Sequence, residues 1–203
     1  MDAFFVNVHV LHHAEDAGIP LVVGGQPQRR GVVSSASYEA RQFGVRSAMP
    51  TAHARRLCPE LKIVPPVWSQ IKSCSRQVMA VLSDFGPLEQ ISVDEAYVDL
   101  SAAAEPEQAA RTIQAQVKTR TKLPASVGLA TSKLVAKVAS DEGKPEGCVF
   151  VAPGAEARFM APLPTRVIWG IGPKTAEKLA GQGIDTCGQL AAAEEPVLRR
   201  LFG

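Results

Sequence analysis

Paired cysteines, long apolar runs, internal repeats and low-complexity stretches are all missing from this 203-residue chain. Its four cysteines, Cys58, Cys74, Cys148 and Cys187, are scattered and show no Cys-x-x-Cys spacing. That argues against a disulfide framework or a zinc site and fits a reducing, cytoplasmic setting. No apolar run approaches the ~20 residues that a membrane span needs, so no membrane partner is expected. The N-terminus has no basic segment leading into an apolar stretch, and no secretory signal is visible. What remains, 46% hydrophobic and 21% charged residues, describes an ordinary globular chain. Its length suits one large domain or two modest ones.

The net charge of +2 conceals an asymmetry. Residues 1–110 hold 9 Lys/Arg against 12 Asp/Glu, whereas residues 111–203 hold 13 against 8. The C-terminal half is therefore the basic one. Such a split reads either as a surface for nucleic-acid phosphates or as a solvated charged face.

Strands and helices interleave along the chain. Met1 to Val6 reads as strand-like, and Ile19-Pro20-Leu21-Val22-Val23-Gly24-Gly25 as a buried strand stopped by glycines. Gly31 to Ala36 is the next strand, after a polar turn from Gln26 to Arg30. A short helix begins at Ser37-Tyr38-Glu39-Ala40-Arg41 and ends at Gly44, and a second covers Thr51 to Leu57. Pro65-Pro66 breaks the chain. Beyond it, Ile71, Cys74, Val78 and Leu82 recur at helical spacing. Two strands follow, about Leu88–Ile91 and Ala96–Leu100. Then come a helix from Pro106 to Thr119 with Ala109, Ile113 and Val117 on one face, a strand at Ser126–Leu129, a helix at Ser132–Ser140 and a strand at Cys148–Val151. After Pro153 short helices alternate with Gly and Pro. The pattern predicts an α+β chain followed by a small helical unit.

Asp94 and Glu95 fall between two of these strands. Adjacent carboxylates suit hard divalent cations, which take oxygen ligands. Neighbours on an extended strand point to opposite faces, so both can serve one site only where the chain bends. Alone, an Asp-Glu pair reads as a solvated turn. His9, His12 and His13 lie close in sequence, but no Cys or carboxylate completes a ligand set, and a polar helix face is the expectation. Asp99 reads as a strand-end surface residue.

Ser92-Val93-Asp94-Glu95-Ala96-Tyr97 resembles the catalytic run of the Y-family (translesion) DNA polymerases, most closely their DinB-like bacterial branch. Ser37-Tyr38-Glu39-Ala40-Arg41, Phe43-Gly44-Val45-Arg46 and Ala48-Met49-Pro50 resemble that family's fingers, and Met1-Asp2-Ala3-Phe4-Phe5 its first palm strand. These matches stand in the family's order and extend over essentially the whole chain.

The resemblance implies a right-hand polymerase core with a ferredoxin-like palm (1–3 and 67–151), small fingers (4–66) and a helical thumb with a helix-hairpin-helix (152–203). It implies template-directed addition of dNTPs to a primer 3′-hydroxyl, with two Mg²⁺ ions as cofactors and primer–template DNA as partner. Asp94 and Glu95 would be catalytic metal ligands, joined by the backbone carbonyl of Met1. Tyr38 and Arg41, three residues apart on one helical face, would contact the incoming triphosphate, with Ser35 adding a hydroxyl or backbone contact. Lys144 would neutralise the leaving pyrophosphate. Phe5 would be the steric gate against a ribose 2′-hydroxyl, with Phe4 in the core because strand neighbours face opposite ways. Val167-Ile168-Trp169-Gly170-Ile171-Gly172-Pro173-Lys174 resembles a helix-hairpin-helix, in which Gly170, Gly172 and Lys174 would meet a DNA phosphate.

Three departures accompany these matches, one of them Val6-Asn7-Val8-His9, where relatives often read Ala-Ser-Val-Glu. The family carries an aspartate just before the position of Met1, as in Asp-Met-Asp, so Asp2 matches the second of that pair. Either the protein begins upstream or the site lacks a principal ligand. The family's little-finger domain is also expected beyond Gly203, together with its sliding-clamp tail, and residues 1–203 should grip DNA weakly. Work on nucleoid DNA in a bacterial cytoplasm is the expected setting. A non-catalytic DNA-binding relic is the alternative reading.

Overall fold

A computed structural model describes residues 1–203, which divide into two compact units, Met1–Ala125 and Ser126–Gly203. In the first unit the chain runs through α1 (Phe4–His12), β1 (Leu21–Gly24), β2 (Val33–Ala36), α2 (Tyr38–Gln42), α3 (Thr51–Leu57) and β3 (Lys62–Val64). It continues through α4 (Trp68–Ser83), β4 (Leu88–Gln90), β5 (Ala96–Val98) and α5 (Pro106–Thr121).

β1 is the central strand of a three-stranded sheet. It pairs antiparallel with β2 (Val22↔Ala36, Val23↔Ser35) and parallel with β3 (Leu21↔Lys62, Val22↔Ile63, Val23↔Val64). All four β1 residues are buried because both faces of the sheet are covered. Val22 faces a cluster with Val33, Ala36, Ala40, Val45, Ala54 and Leu61, which draws in α2 and α3. Leu21 and Val23 face Ala3 and Val6 at the start of α1. That two-sided burial is why the strand reads as a continuous apolar run rather than an alternating one. The hairpin beyond it closes so tightly that a side chain at Gly31 would run into the Gly25 backbone.

The second core of this unit lies among α1, α4 and α5. Phe4 and Val8 meet Ile71, Cys74, Val78 and Val81 of α4 and Ile113 and Val117 of α5, with Leu123 and Ala125 closing the end. On α5 the buried face is Ala110, Ile113, Val117 and Thr121, so the first position of the expected face shifts from Ala109 to its neighbour.

The expected first strand is a helix. Met1 and Asp2 belong to no element, and α1 starts at Phe4. Phe4, Val6 and Val8 are buried in alternation, which mimics a strand. The cause is that α1 is wedged between the two cores: Phe4 and Val8 serve one, Ala3 and Val6 the other. Each fully buried side chain of this kind contributes about 1.5–3 kcal/mol, enough to override a weak helical pattern. Strand β3, a run of three residues, was not expected.

The second unit contains β6 (Val127–Leu129), α6 (Lys133–Glu142), β7 (Cys148–Phe150), α7 (Glu156–Met160), α8 (Pro173–Ala180), α9 (Cys187–Ala192) and α10 (Glu195–Phe202). β6 and β7 pair in parallel, Gly128 opposite Val149, with α6 as the crossover. Ser132 caps α6 by accepting a hydrogen bond from the Val135 amide at 3.3 Å, and the Ser140 hydroxyl donates back to the Ser126 carbonyl at 3.0 Å. Val135, Ala139 and Val151 form its buried centre. No helix of either unit is long and apolar enough to cross a membrane.

Candidate active site and nucleic-acid interface

β4 and β5 form an antiparallel hairpin in register Leu88↔Val98, Glu89↔Tyr97 and Gln90↔Ala96. Its turn, Ile91 to Glu95, supplies the bend that the two carboxylates need. The amides of Ile91 and Ser92 both donate to the Glu95 carbonyl, at 2.9 and 3.2 Å. Ser92 locks the tip: its hydroxyl donates to Asp94 Oδ1 at 2.8 Å and accepts from the Asp94 amide at 3.3 Å. Val93 packs against the α1–α4–α5 core, which roots the turn, while Asp94 and Glu95 stay half-buried.

The start of the chain comes to this turn. The Met1 backbone nitrogen donates to the Asp94 carbonyl at 2.8 Å. The Asp2 amide donates to the Pro124 carbonyl at 3.2 Å, and Asn7 Nδ2 donates to the Asp2 carbonyl at 2.6 Å. The structure thus brings together Met1, Asp94 and Glu95 across most of a hundred residues of sequence. No three His, Cys, Asp or Glu side chains converge on a ready metal cluster. The donor chemistry still fits Mg²⁺, which commonly takes one or two protein carboxylates and completes its shell with water and substrate phosphates.

Phe4 is 2% exposed, as expected, although the reason is its place on a helix rather than strand alternation. Phe5 is half-buried and packs both on the α1–α4–α5 core and on the Ala3–Val6–Leu21–Val23 cluster. Tyr38 packs on that same cluster. Ser37 caps α2, accepting from the Ala40 amide at 3.1 Å, and its hydroxyl also accepts from the Leu21 amide at 3.0 Å and donates to the Ile19 carbonyl at 3.1 Å. On the helix so fixed, the Arg41 guanidinium lies 4.7 Å from the centre of the Tyr38 ring, and Arg41 Nε donates to the Ala36 carbonyl at 3.2 Å. Ser35 is buried on β2 opposite Val23. Phe5, Tyr38 and Arg41 therefore belong to one neighbourhood.

In the second unit, Lys144 Nζ donates to Asp141 Oδ1 at 2.7 Å, and Lys137 reaches the other oxygen at 3.3 Å. Burial pushes the Asp141 carboxyl up, but the two lysines together outweigh it and hold the group below its ordinary value. Sequence reading missed Asp141 as the ion-pair partner of Lys144; its i,i+4 spacing from Lys137 and i,i+3 spacing to Lys144 was the available signal.

The Ile168–Gly172 hairpin leads directly into α8. Gly170 has φ +96°, a left-handed value that glycine adopts without strain, and Gly172 is the N-cap, followed by Pro173 as the first helical residue. Space beside both glycines is open, and Lys174 is exposed. Trp169, at 81% exposure, stands at the tip.

The other candidates take structural places. His9 Nε2 bonds Asp16 Oδ2 at 2.8 Å, and its ring stacks on His13 at 4.4 Å. Lys62 Nζ reaches the other Asp16 oxygen at 2.5 Å. Asp99 Oδ1 accepts from the amide and hydroxyl of Ser101, which lowers its carboxyl. Burial raises the thiols of Cys58, Cys74 and Cys187 and keeps them protonated.

The architecture is that of a right-hand polymerase core. The insertion ternary complex of Dbh DNA polymerase superposes with TM-score 0.91 at 30% identity, over 100% of this chain and 61% of that one. DinB from Sulfolobus solfataricus gives TM-score 0.92 at 30% identity, over the same shares of the two chains. The impB/mucB/samB family matches residues 1–141, and the IMS family HHH motif matches residues 153–184. The chain belongs to the impB/mucB/samB family, the Y-family of DNA polymerases. DNA polymerase IV of Shewanella baltica is 43% identical over 208 residues, and that of Streptomyces coelicolor 44% over 210. Each match covers 100% of this chain but only 58% and 44% of the relative, so the chain spans about half the length of these proteins.

Proposed function

We propose that this chain forms the core of a translesion-type, template-directed DNA polymerase that adds dNTPs to a primer 3′-hydroxyl. The observation that carries the proposal is the hydrogen bond from Met1 to the Asp94 carbonyl at 2.8 Å. It sets the Met1 backbone, just ahead of α1, beside a turn bearing two carboxylates. Asp94 and Glu95 would hold Mg²⁺, with the Met1 carbonyl as a further oxygen. Two such ions, when bound, neutralise the triphosphate and favour the primer hydroxyl as its anion.

The remaining residues bind and orient. Arg41, its guanidinium 4.7 Å from the Tyr38 ring centre, would offer a fork of donors to the triphosphate, with Ser35 on β2 adding a contact. Lys144, paired with Asp141 at 2.7 Å, would offer a compact charge to the leaving pyrophosphate. Phe5 would form the wall against the sugar of the incoming nucleotide. Gly170, Gly172 and Lys174 present backbone amides and charge to a DNA phosphate without reading sequence. Residues 1–3 and 67–151 would serve as palm, 4–66 as fingers and 152–203 as thumb, acting on nucleoid DNA.

Primer extension with Mg²⁺ tests this reading on the protein. Asp94→Asn and Glu95→Gln should each lower extension by at least about 10²-fold, as loss of a group that stabilises developing charge does. Their thermal melts should match the parent's. Undiminished extension by either variant removes the turn from the active site. Primer–template binding without any extension by the parent would replace the catalytic reading with a DNA-binding one.

A further inference from the structure

Two aromatic rings meet that of Phe5. Phe4 meets it edge-on at 6.0 Å between centroids and 62° between planes, and Trp68 does so at 5.6 Å and 80°. These two neighbours differ in kind. Phe4 is a core residue, whereas Trp68, the first residue of α4, is 52% exposed. Trp68 is not needed to seal the core beneath it, because Ile71, three residues further along α4, already does so at 2% exposure. Its ring leaves a large apolar area in water while its other side lies against Phe5.

We propose that Trp68 is a positioning residue for sugar selection: it braces the Phe5 ring so that the wall facing the incoming sugar does not yield to a 2′-hydroxyl. The proposal rests on the polymerase reading above and on Phe5 as the gate. A pocket discriminates poorly against a substrate that merely adds a hydroxyl when its wall can move aside. A phenylalanine wall moves by rotating its side chain, and neighbours that lock the rotamer remove that freedom. Phe4 restrains Phe5 from its own helix, and Trp68 restrains it from another.

The backbone beneath Phe5 is already fixed by the hydrogen bonds of Met1 to Asp94 and Asp2 to Pro124. Phe5 also shares the Ala3–Val6–Leu21–Val23 cluster with Tyr38. The main remaining freedom of the gate is rotation of the ring itself, and Trp68 opposes it.

Single-nucleotide insertion, measured as kcat/KM for each dNTP and for the ribonucleotide of the same base in the full-length protein, tests this. Trp68→Ala should raise the rNTP/dNTP ratio by about two- to tenfold, the size of one aromatic pair. Trp68→Phe should restore most of the selection. On a Phe5→Ala background, Trp68→Ala should add nothing, because no ring remains to be held. Equal losses for both sugars on Trp68→Ala, or a Trp68 effect that persists without Phe5, overturns the bracing role. An unchanged ratio in Phe5→Ala overturns the gate and the brace together. Absence of insertion by the unsubstituted protein overturns the polymerase reading instead.

Discussion

The Ser37 hydroxyl accepts from the Leu21 and Ala40 amides and donates to the Ile19 carbonyl, while the Ser37 amide itself donates to the Leu21 carbonyl at 2.8 Å. One side chain thus extends the β1–β2 ladder and caps the helix that carries Tyr38 and Arg41. Ser37→Ala removes all three hydroxyl bonds at once. Loss of the cap costs about 1 kcal/mol. The Leu21 amide, on a residue with no exposure, is left without its acceptor, which costs a further ~1–3 kcal/mol. The expected destabilisation is therefore about 2–4 kcal/mol. With a urea slope near ~2 kcal/mol/M, the midpoint should fall by about 1–2 M. Ser37→Gly separates the two contributions, because glycine caps a helix almost as well as serine but cannot serve Leu21. It should lose about 1–3 kcal/mol, and the Leu21 amide should exchange faster in both variants. A Ser37→Ala midpoint within ~0.25 M of the parent, with Leu21 exchange unchanged, would refute this account of how α2 is fixed.

Three other outcomes follow from the same structure. Gly128→Ala should lower the melting temperature steeply, with a cost of about 3 kcal/mol. Its new methyl would overlap the Ala136 carbonyl and the Ser140 amide, both backbone groups that cannot rotate away, and an unchanged melt would contradict the β6–α6 packing. Gly172→Ala should leave stability within ~0.5 kcal/mol, since the backbone there suits any residue and the space is open, yet weaken DNA binding several-fold by anisotropy. Undiminished affinity would exclude a phosphate at that glycine. Asp16 is held below the ordinary carboxylate value by the Lys62 ammonium first and His9 second. Its stabilisation is therefore present above about pH 4 and lost as pH falls through its lowered folded-state value. Asp16→Asn should be less stable than the parent at neutral pH, and the gap in urea midpoint should close in acid; a gap independent of pH would show that the ion pair is not its source.

Much of the fold was legible where burial was one-sided. The helix through Ile71, Cys74 and Val78 was expected, and so were the Asp94–Glu95 hairpin and the α2 start at Ser37, because period, turn and cap chemistry agreed. Reading failed where packing came from two directions. Alternating burial of Phe4, Val6 and Val8 looked like a strand because α1 divides its side chains between two cores. β3 was invisible because three residues carry no period, and what makes Lys62–Val64 a strand is its parallel partner β1, some forty positions earlier. The acidic turn announced itself through its charge. Trp68 did not, because a brace needs shape and position rather than a recognisable functional group.

The placement of α1 between two cores also orders events during synthesis. The cluster around Val22, Ala36, Ala54 and Leu61 draws only on residues 22 to 63 and can close soon after they leave the ribosome. Phe4 and Val8 were made earlier, yet their partners include Ile113, Val117 and Leu123. Until α5 is added, roughly 5–20 s at usual rates, that side of α1 has at most α4 for cover. The nascent chain thus carries an adhesive N-terminal patch whose burial waits on α5. A stall between residues 65 and 110 would expose it to chaperones and to neighbouring chains, and the segment at greatest risk is the one that the acidic turn later requires.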